Sequence, residues 1–269
     1  MGFWSPQSLL ADAKRHGVEV RRPDIQWSSP ECTLEEGLDD WAIRLGLKSV
    51  RGLGSEAAQR VSDGAPWKSQ EDLVRRAGLT KAQLEVLSVS GALDEFHPNR
   101  RSLLWTAGAA SQATPDRLAG IVTGLHAPDL VEASAVESVA DDLWALGITP
   151  DRTALSLLRP QLDERGVLRA VDLESTTEKR VLVAGAVTHR QHPGSAHGAV
   201  FLNLEDETGH INVVFSKGAW ERWKGVARHQ PALLIRGRLE RAQGVMNIVA
   251  ERVEPLVSQA PIPASRDFR

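Results

Sequence analysis

Apolar positions recur every three or four residues through the first two thirds of the chain and give way to alternation after Glu178. The pattern predicts a helical part followed by a strand-built part. Met1 to Val20 reads as a short helix in which Ser5 caps the start, Pro6 takes the first helical position, and Leu9, Leu10 and Ala13 form the apolar face. Pro23 and Pro30 break that pattern, and a mostly helical block is expected from about Thr33 to Phe96. Within it, Ser69 precedes Asp72 by three residues and Thr80 precedes Gln83 by three, the spacing of capping boxes. Leu84 and Leu87 then face inward, and Gly91 suits a C-terminal cap. His97 to Ala133, rich in Ala, Gly, Thr and Pro, reads as a linker with one or two short elements. A third box, Ser134 with Glu137, opens a helix through Val136, Val139, Ala140, Leu143 and Trp144 that stops at Gly147.

Five strands are predicted at Val181–Thr188, Ala199–Glu205, His210–Phe215, Ala232–Leu239 and Val245–Val253, with a helix at Lys217–Ala227 between the third and fourth. Asp206-Glu207-Thr208-Gly209 and Ala242-Gln243-Gly244 supply the turns. Five strands with a helix after the third form the pattern of an OB barrel. Gln259 to Arg269 read as a tail.

The helical part holds one passage with chemistry in it, Leu47-Lys48-Ser49-Val50-Arg51-Gly52-Leu53-Gly54-Ser55-Glu56-Ala57-Ala58-Gln59-Arg60-Val61. Apolar residues at 47, 50, 53 and 61 surround a Gly-x-Gly turn, and Ala58 allows close helix packing, which is the helix-hairpin-helix pattern. Glycine removes the Cβ that would hold a phosphate away, and the first-turn amides of the next helix point at the anion. Lys48, Arg51, Gly52, Leu53, Gly54 and Ser55 are the candidate DNA-binding residues, weighed against an ordinary tight turn. Trp67 to Phe96 is a candidate degenerate second hairpin, weighed against plain helical packing.

In the barrel the candidates are Arg190, Phe201, Phe215, Lys217, Lys224, Arg236, Arg238 and Arg241. The phenylalanines could stack on bases or serve the core. Arg236 and Arg238 share one face of a strand and could meet phosphates, or be charges that protect a strand edge. Residues 217–241 hold seven basic and two acidic residues, whereas 129–178 hold eleven acidic and four basic, so the net charge of −3 averages opposed segments. His189, His192 and His197 surround the first barrel turn with neither a cysteine nor a placed carboxylate, which favours a polar loop over a metal site. The acidic pairs Asp39-Asp40 and Asp141-Asp142, expected in helices, point to different faces and make poor metal sites. No catalytic or metal residue is assigned.

Composition narrows the classes further. The 269 residues, 42% hydrophobic and 25% charged, predict about two globular domains. The single cysteine, Cys32, excludes an intramolecular disulfide and a multi-cysteine zinc site. No apolar run approaches the ~18 residues of a spanning helix and no secretory signal opens the chain, so a cytoplasmic, membrane-free protein is expected. Eight tryptophans accompany no tyrosine. Trp4, Trp41, Trp144, Trp220 and Trp223 fall in predicted helices, where core packing is the expected use.

Several stretches resemble one family: Met1-Gly2-Phe3-Trp4-Ser5-Pro6-Gln7-Ser8-Leu9, Leu45 to Gly54, Ser90-Gly91-Ala92-Leu93-Asp94, Asp142 to Ile148, Phe201 to Gly209 and Ser265-Arg266-Asp267-Phe268-Arg269. In this order they resemble the C-terminal portion of the error-prone, DnaE-type DNA polymerases of the ImuC type, paralogues of the bacterial DNA polymerase III alpha subunit. The fold expected is multidomain α + β, a helical helix-hairpin-helix domain followed by a five-stranded OB-fold barrel. The expected divisions are 1–32, a remnant of the polymerase fingers; 33–96, the hairpin domain; 97–133, a linker; 134–178, a helical connector; 179–257, the OB domain; and 258–269, the tail. The resemblance implies a role in damage-induced mutagenesis and translesion synthesis. In that family the palm, with its metal-binding aspartates, precedes this segment, so Mg2+ is expected only for the missing palm and the chain alone is expected not to polymerise DNA. No Gln-x-x-Leu-Phe peptide is found near the linker. The partners expected are therefore duplex DNA, single-stranded template and accessory mutagenesis proteins, with direct sliding-clamp binding doubtful. The competing readings are a stand-alone module that docks a protein or binds single-stranded DNA, and an intact enzyme acting alone.

Overall fold

A computed structural model describes residues 5–38, 40–118, 120–194, 197–242 and 244–268, and the chain divides into two compact units, Met1–Asp151 and Arg152–Arg269. Outside the described residues lie Trp4, whose helical setting was expected, Asp39, the middle residue of the Ala242-Gln243-Gly244 turn, and Arg269.

In unit 1, the Ser5 hydroxyl accepts from the Ser8 amide at 3.0 Å and opens helix α1 (Pro6–Arg15). Ser8 and Leu10 point inward while Leu9 is exposed, so the apolar face differs from the one expected. The expected helix to Val20 ends early because the chain turns into strand β1 (Glu19–Arg21). The block expected to be helical from Thr33 instead opens with β2 (Thr33–Glu36) and β3 (Trp41–Arg44). β3 is central, antiparallel to β2 and parallel to β1. One face of this small sheet is tied by Glu35, which accepts from Arg44 Nη2 at 2.8 Å and Arg21 Nη1 at 2.5 Å. Asp40 lies in the β2–β3 connection rather than in a helix.

Helices α2 (Ser55–Gly64), α3 (Gln70–Ala77), α4 (Lys81–Ser90), α5 (Arg100–Ala110) and α6 (Ala135–Ala145) follow. The Thr80/Gln83 and Ser134/Glu137 capping boxes are complete. Ser69 caps α3, but the Asp72 carboxylate takes the Lys68 amide rather than that of Ser69. Leu47, Leu53, Val61, Leu73, Leu84, Leu87 and Leu93 form the core, to which α5, inside the stretch read as a linker, adds Leu103, Ala107 and Ala110. Buried Asp142 fixes α6 by accepting from both Nη atoms of Arg22, at 2.6 and 2.7 Å.

Unit 2 begins with α7 (Ala154–Glu164) and builds the barrel from β4 (Arg180–Gln191), β5 (Val200–Glu205), β6 (His210–Phe215), β7 (Ala232–Ala242) and β8 (Val245–Pro255), with α8 (Lys217–Ala227) after the third strand as predicted. Pairing runs β4–β5–β6–β8–β7 and returns to β4, and β6–β8 is the parallel pair among these five strands, so the sheet closes. The β5–β6 turn is the Asx turn expected: Asp206 Oδ1 accepts from the amides of Thr208 (2.7 Å) and Gly209 (2.9 Å). Inside lie Val183, Leu204, Ile211, Phe215, Leu233 and Ile235. Outside, Leu155, Leu162 and Val167 cover Ala184 and Leu234. The expected tail is not free: β9 (Arg266–Phe268) adds a parallel strand to His189–Gln191, and Ala260 is buried.

The tryptophans divide. Trp220 is buried edge-on to Phe215, with ring centroids 5.7 Å apart, and Trp223 donates to the Glu251 carbonyl at 3.1 Å. Trp41 lies in a strand and is 58% exposed, and Trp144 is in α6 but 51% exposed, so neither has the core role expected of it.

Candidate nucleic-acid interface

The hairpin starts with a 3-10 turn at Leu47–Ser49 and passes through Val50-Arg51-Gly52-Leu53-Gly54 into α2. Leu47, Val50, Leu53, Ala58 and Val61 are all buried, so the apolar frame read from the sequence anchors the loop from below. Leu53 is therefore closed to a ligand except through its backbone, and its carbonyl accepts from Gln83 Nε2 at 3.0 Å. Gly52 has φ +75° and Gly54 has φ +77° with ψ 158°, the latter in a region that is essentially glycine's alone. A Cβ on either would meet no atom within 4 Å, so the loop's outer surface is bare backbone.

That bare surface carries unused donors. Gly54 caps α2 without a side-chain hydrogen bond, and the amides of Ser55, Glu56 and Ala57 precede the first helical bond, Ala58 N–H to Gly54 O at 3.0 Å. Together with the helix dipole they favour an anion. Lys48 and Ser55 are exposed beside the loop, Lys48 in a surface ion pair with Glu31 (2.5 Å) of the kind readily exchanged for another anion. Arg51 is exposed, and its backbone amide is fixed to the Ala145 carbonyl at 2.8 Å. Glu56, in the first turn of α2, is the one charge there that opposes an anion.

The α3–α4 hairpin repeats the shape, with Gly78 at φ +65° and buried Leu79, but differs in its donors. Thr80 Oγ1 accepts from the Gln83 amide at 3.3 Å, and Gln83 Oε1 accepts from the Thr80 amide at 3.0 Å. The capping box thus takes the third first-turn amide of α4 internally, where all three first-turn amides of α2 are open. Gln83, expected from the sequence only as the partner of Thr80 in a capping box, also joins the two hairpins through the Leu53 carbonyl.

In the barrel the predicted residues separate. Phe215 is 0% exposed in the core and cannot stack on a base. Arg190 is buried, donating to the carbonyls of Ala227 (2.8 Å) and Gln230 (2.6 Å), so it locks the end of α8 rather than facing a ligand. Arg241 donates to the carbonyls of Leu173 (2.8 Å) and Thr176 (2.7 Å) and serves the same kind of internal tie. Phe201, 38% exposed, lies opposite Val214 on the β5–β6 face, next to the Asn203–Asn212 pair. Lys217 and Lys224 are exposed on α8; Lys224 hydrogen-bonds Glu221 at 2.6 Å and holds that carboxyl below its usual range. Arg236 and Arg238 are exposed on one face of β7, as period two requires. Arg165, Arg180 and Arg252 join that face and were not foreseen; the β7–β8 bulge that orients Arg252 leaves no local sequence signal. Among the described residues no three His, Cys, Asp or Glu side chains form a metal-holding group, and no helix is long and apolar enough to cross a membrane.

Residues 17–103 match the family described as a helix-hairpin-helix motif, and residues 181–256 match the OB-fold nucleic acid binding domain. The error-prone DNA polymerase of Mycobacterium tuberculosis (strain ATCC 25618 / H37Rv) is 46% identical over 274 residues, covering 100% of this chain and 25% of the relative. That of Nocardia farcinica (strain IFM 10152) is 46% identical over 282 residues, covering 100% of this chain and 24% of the relative. The chain spans about a quarter of the length of the curated relatives it matches. Across its whole length, therefore, the chain corresponds to the C-terminal part of the error-prone DNA polymerases.

Proposed function

We propose that this chain holds DNA for an error-prone polymerase acting in damage-induced mutagenesis and translesion synthesis, without itself supplying the carboxylates of nucleotidyl transfer. The open amides of Ser55, Glu56 and Ala57 beneath two bare glycines carry this reading. They suit a duplex phosphate, gripped without reading sequence, with Lys48 and Arg51 adding charge. The OB domain, through Phe201, Lys217, Lys224, Arg236 and Arg238, meets the single-stranded template. Recruitment runs through accessory mutagenesis proteins rather than direct sliding-clamp contact, in the cytoplasm. Fluorescence anisotropy of a labelled duplex tests the reading: log K falls linearly with log salt, by about 0.9 for each phosphate that Lys48 or Arg51 neutralises. A salt-independent affinity, or no binding at low salt, rejects it.

One observation favours a second reading, a protein-docking module. The sheet face opposite the Glu35 ion network exposes Leu34 and Trp41, which in their register pairs share one side of β2 and β3. Loss of partner binding in Trp41→Ala with DNA affinity intact would support it.

A further inference from the structure

The barrel surface formed by β4, β7 and β8 carries Arg180, Arg236, Arg238 and Arg252; three of them pair with Glu251, Glu240 and Glu254, and the Arg236 guanidinium has no partner among the described residues. Arg236 on β7 lies opposite Arg252 on β8, and Arg238 on β7 lies opposite Arg180 on β4. Like charges directly opposite on a ladder repel, yet two such pairs occur side by side. A bulge produces the first. The register slips between Arg236 and Gly237, so Glu251 and Arg252 are both exposed in succession; Glu251 turns to Arg180 (3.2 Å) and Arg252 is left beside Arg236. Gly237 permits this crossing, because a Cβ there would lie 2.5 Å from Ile248 Cγ2 and the Val249 carbonyl oxygen.

Around Arg236 the chain closes a cavity of about 200 Å³ lined by Arg165, Leu182, Leu234, Arg236, Arg252 and Glu254. Glu254 serves both of the other arginines, accepting from Arg252 Nε at 2.8 Å with Arg165 Nη2 at 4.0 Å. The Arg236 guanidinium has neither a hydrogen bond nor an ion pair with any described residue. Three guanidinium groups therefore face one carboxylate.

We infer that this cavity is a phosphate-binding pocket for the backbone of a single-stranded nucleic acid, separate from the β5–β6 face that carries Phe201. A planar guanidinium fork matches phosphate oxygens two at a time. Arg236 and Arg238, two residues apart, stand about 6.6 Å from each other along the strand, so a second cation pair continues the row for a repeating anion. The apolar residues of the lining, buried Leu234 and half-buried Leu182, are taken up by the packing of α7 on the barrel and offer no aromatic anchor of the kind that dominates peptide recognition. The inference rests on the reading that the chain holds nucleic acid, and it deepens the assignment of Arg236 and Arg238 by naming the pocket and its other members.

Anisotropy of a labelled oligothymidine on the full chain tests it, with the labelled duplex measured in parallel. Arg236→Ala with Arg252→Ala is expected to weaken the single strand about tenfold at low salt and to flatten its salt slope by about 1.4, two cations at about 0.7 each. Duplex affinity should stay as in the unsubstituted chain. Glu254→Gln is expected to tighten the single strand, a gain that damage to folding cannot produce. If the unsubstituted chain binds neither DNA, the wider reading fails. If it binds the duplex but the arginine variants leave single-strand binding and slope unchanged, or if a polyglutamate peptide binds the pocket more tightly than the oligonucleotide, this inference alone is overturned.

Discussion

Gly54 and Gly78 both hold positive φ in the turns of two hairpins of one unit, Gly54 in the place that Thr80 takes before α4 and Gly78 in the place of Gly52, so replacing each with alanine separates backbone strain from anion binding. At Gly54, φ +77° and ψ 158° place alanine where strain is about 1–3 kcal/mol; at Gly78, φ +65° and ψ 35° is the left-handed helical region, costing about 1–2 kcal/mol. Neither Cβ meets an atom within 4 Å, so no steric term is added. Both variants should therefore stay folded against a typical total of about 5–15 kcal/mol and lose stability by similar amounts in a urea titration followed by tryptophan fluorescence. Their DNA binding should diverge. Relieving the strain at Gly54 turns the amides of Ser55 to Ala57 away from their common focus, and each lost amide bond to a charged phosphate removes about 1.5–3 kcal/mol. Gly54→Ala should thus weaken a labelled duplex at least tenfold, at about 1.4 kcal/mol per decade. Gly78→Ala should leave affinity unchanged, because the Thr80 side chain covers the start of α4 and already takes the Gln83 amide. Equal affinities for the two variants, or an equal loss in both, would refute the assignment of the anion site to the first hairpin.

Glu56→Gln, which removes the opposing carboxylate in the first turn of α2, should tighten duplex binding in the same anisotropy assay. Asp142→Ala removes two of the carboxylate bonds of half-buried Arg22, which keeps Asp151 at 2.8 Å, and should destabilise the chain by about 1.5–3 kcal/mol in a urea titration. Hydrogen bonds from Arg44 and then Arg21 hold the Glu35 carboxyl below its ordinary value of 4.5; its contribution is therefore complete above that value and is lost as pH falls through the lower folded one. The urea midpoint should drop as pH falls below about 4.5, and Glu35→Gln should flatten that part of the drop. Arg190 also donates to the Ser265 hydroxyl just before β9, so Arg190→Met should release that strand, seen as faster amide exchange at Arg266–Phe268.

What the sequence disclosed follows the range of the interactions. α8 and β6 have the predicted boundaries because Ser216 caps the helix locally and the Asp206–Gly209 turn and that same cap bound a strand rich in Val and Ile. The uncapped start of α2, proposed above as the anion site, was also legible, since Gly54 stands before that helix in place of Ser or Thr, while Thr80 and Gln83 announce a capping box. The small sheet of unit 1 was not. Its strands are three or four residues long, and the β1–β3 pairing joins residues more than twenty apart, so no local alternation distinguishes them from helix. β9 escaped for the same reason. Phe201 and Phe215 have the same alternating surroundings in sequence; only barrel closure decides that one is core and the other surface. The partner of Arg236 was hidden because one bulged residue, Glu251, moves Arg252 into register.

The most direct test of the account is the amide spectrum of the 15N-labelled chain during addition of a short DNA duplex at low salt. Shifts confined in unit 1 to Gly52, Gly54, Ser55, Glu56 and Ala57, with Gly78 to Gln83 still, are the predicted result. Shifts centred on the α3–α4 hairpin, or none in either hairpin, would contradict it.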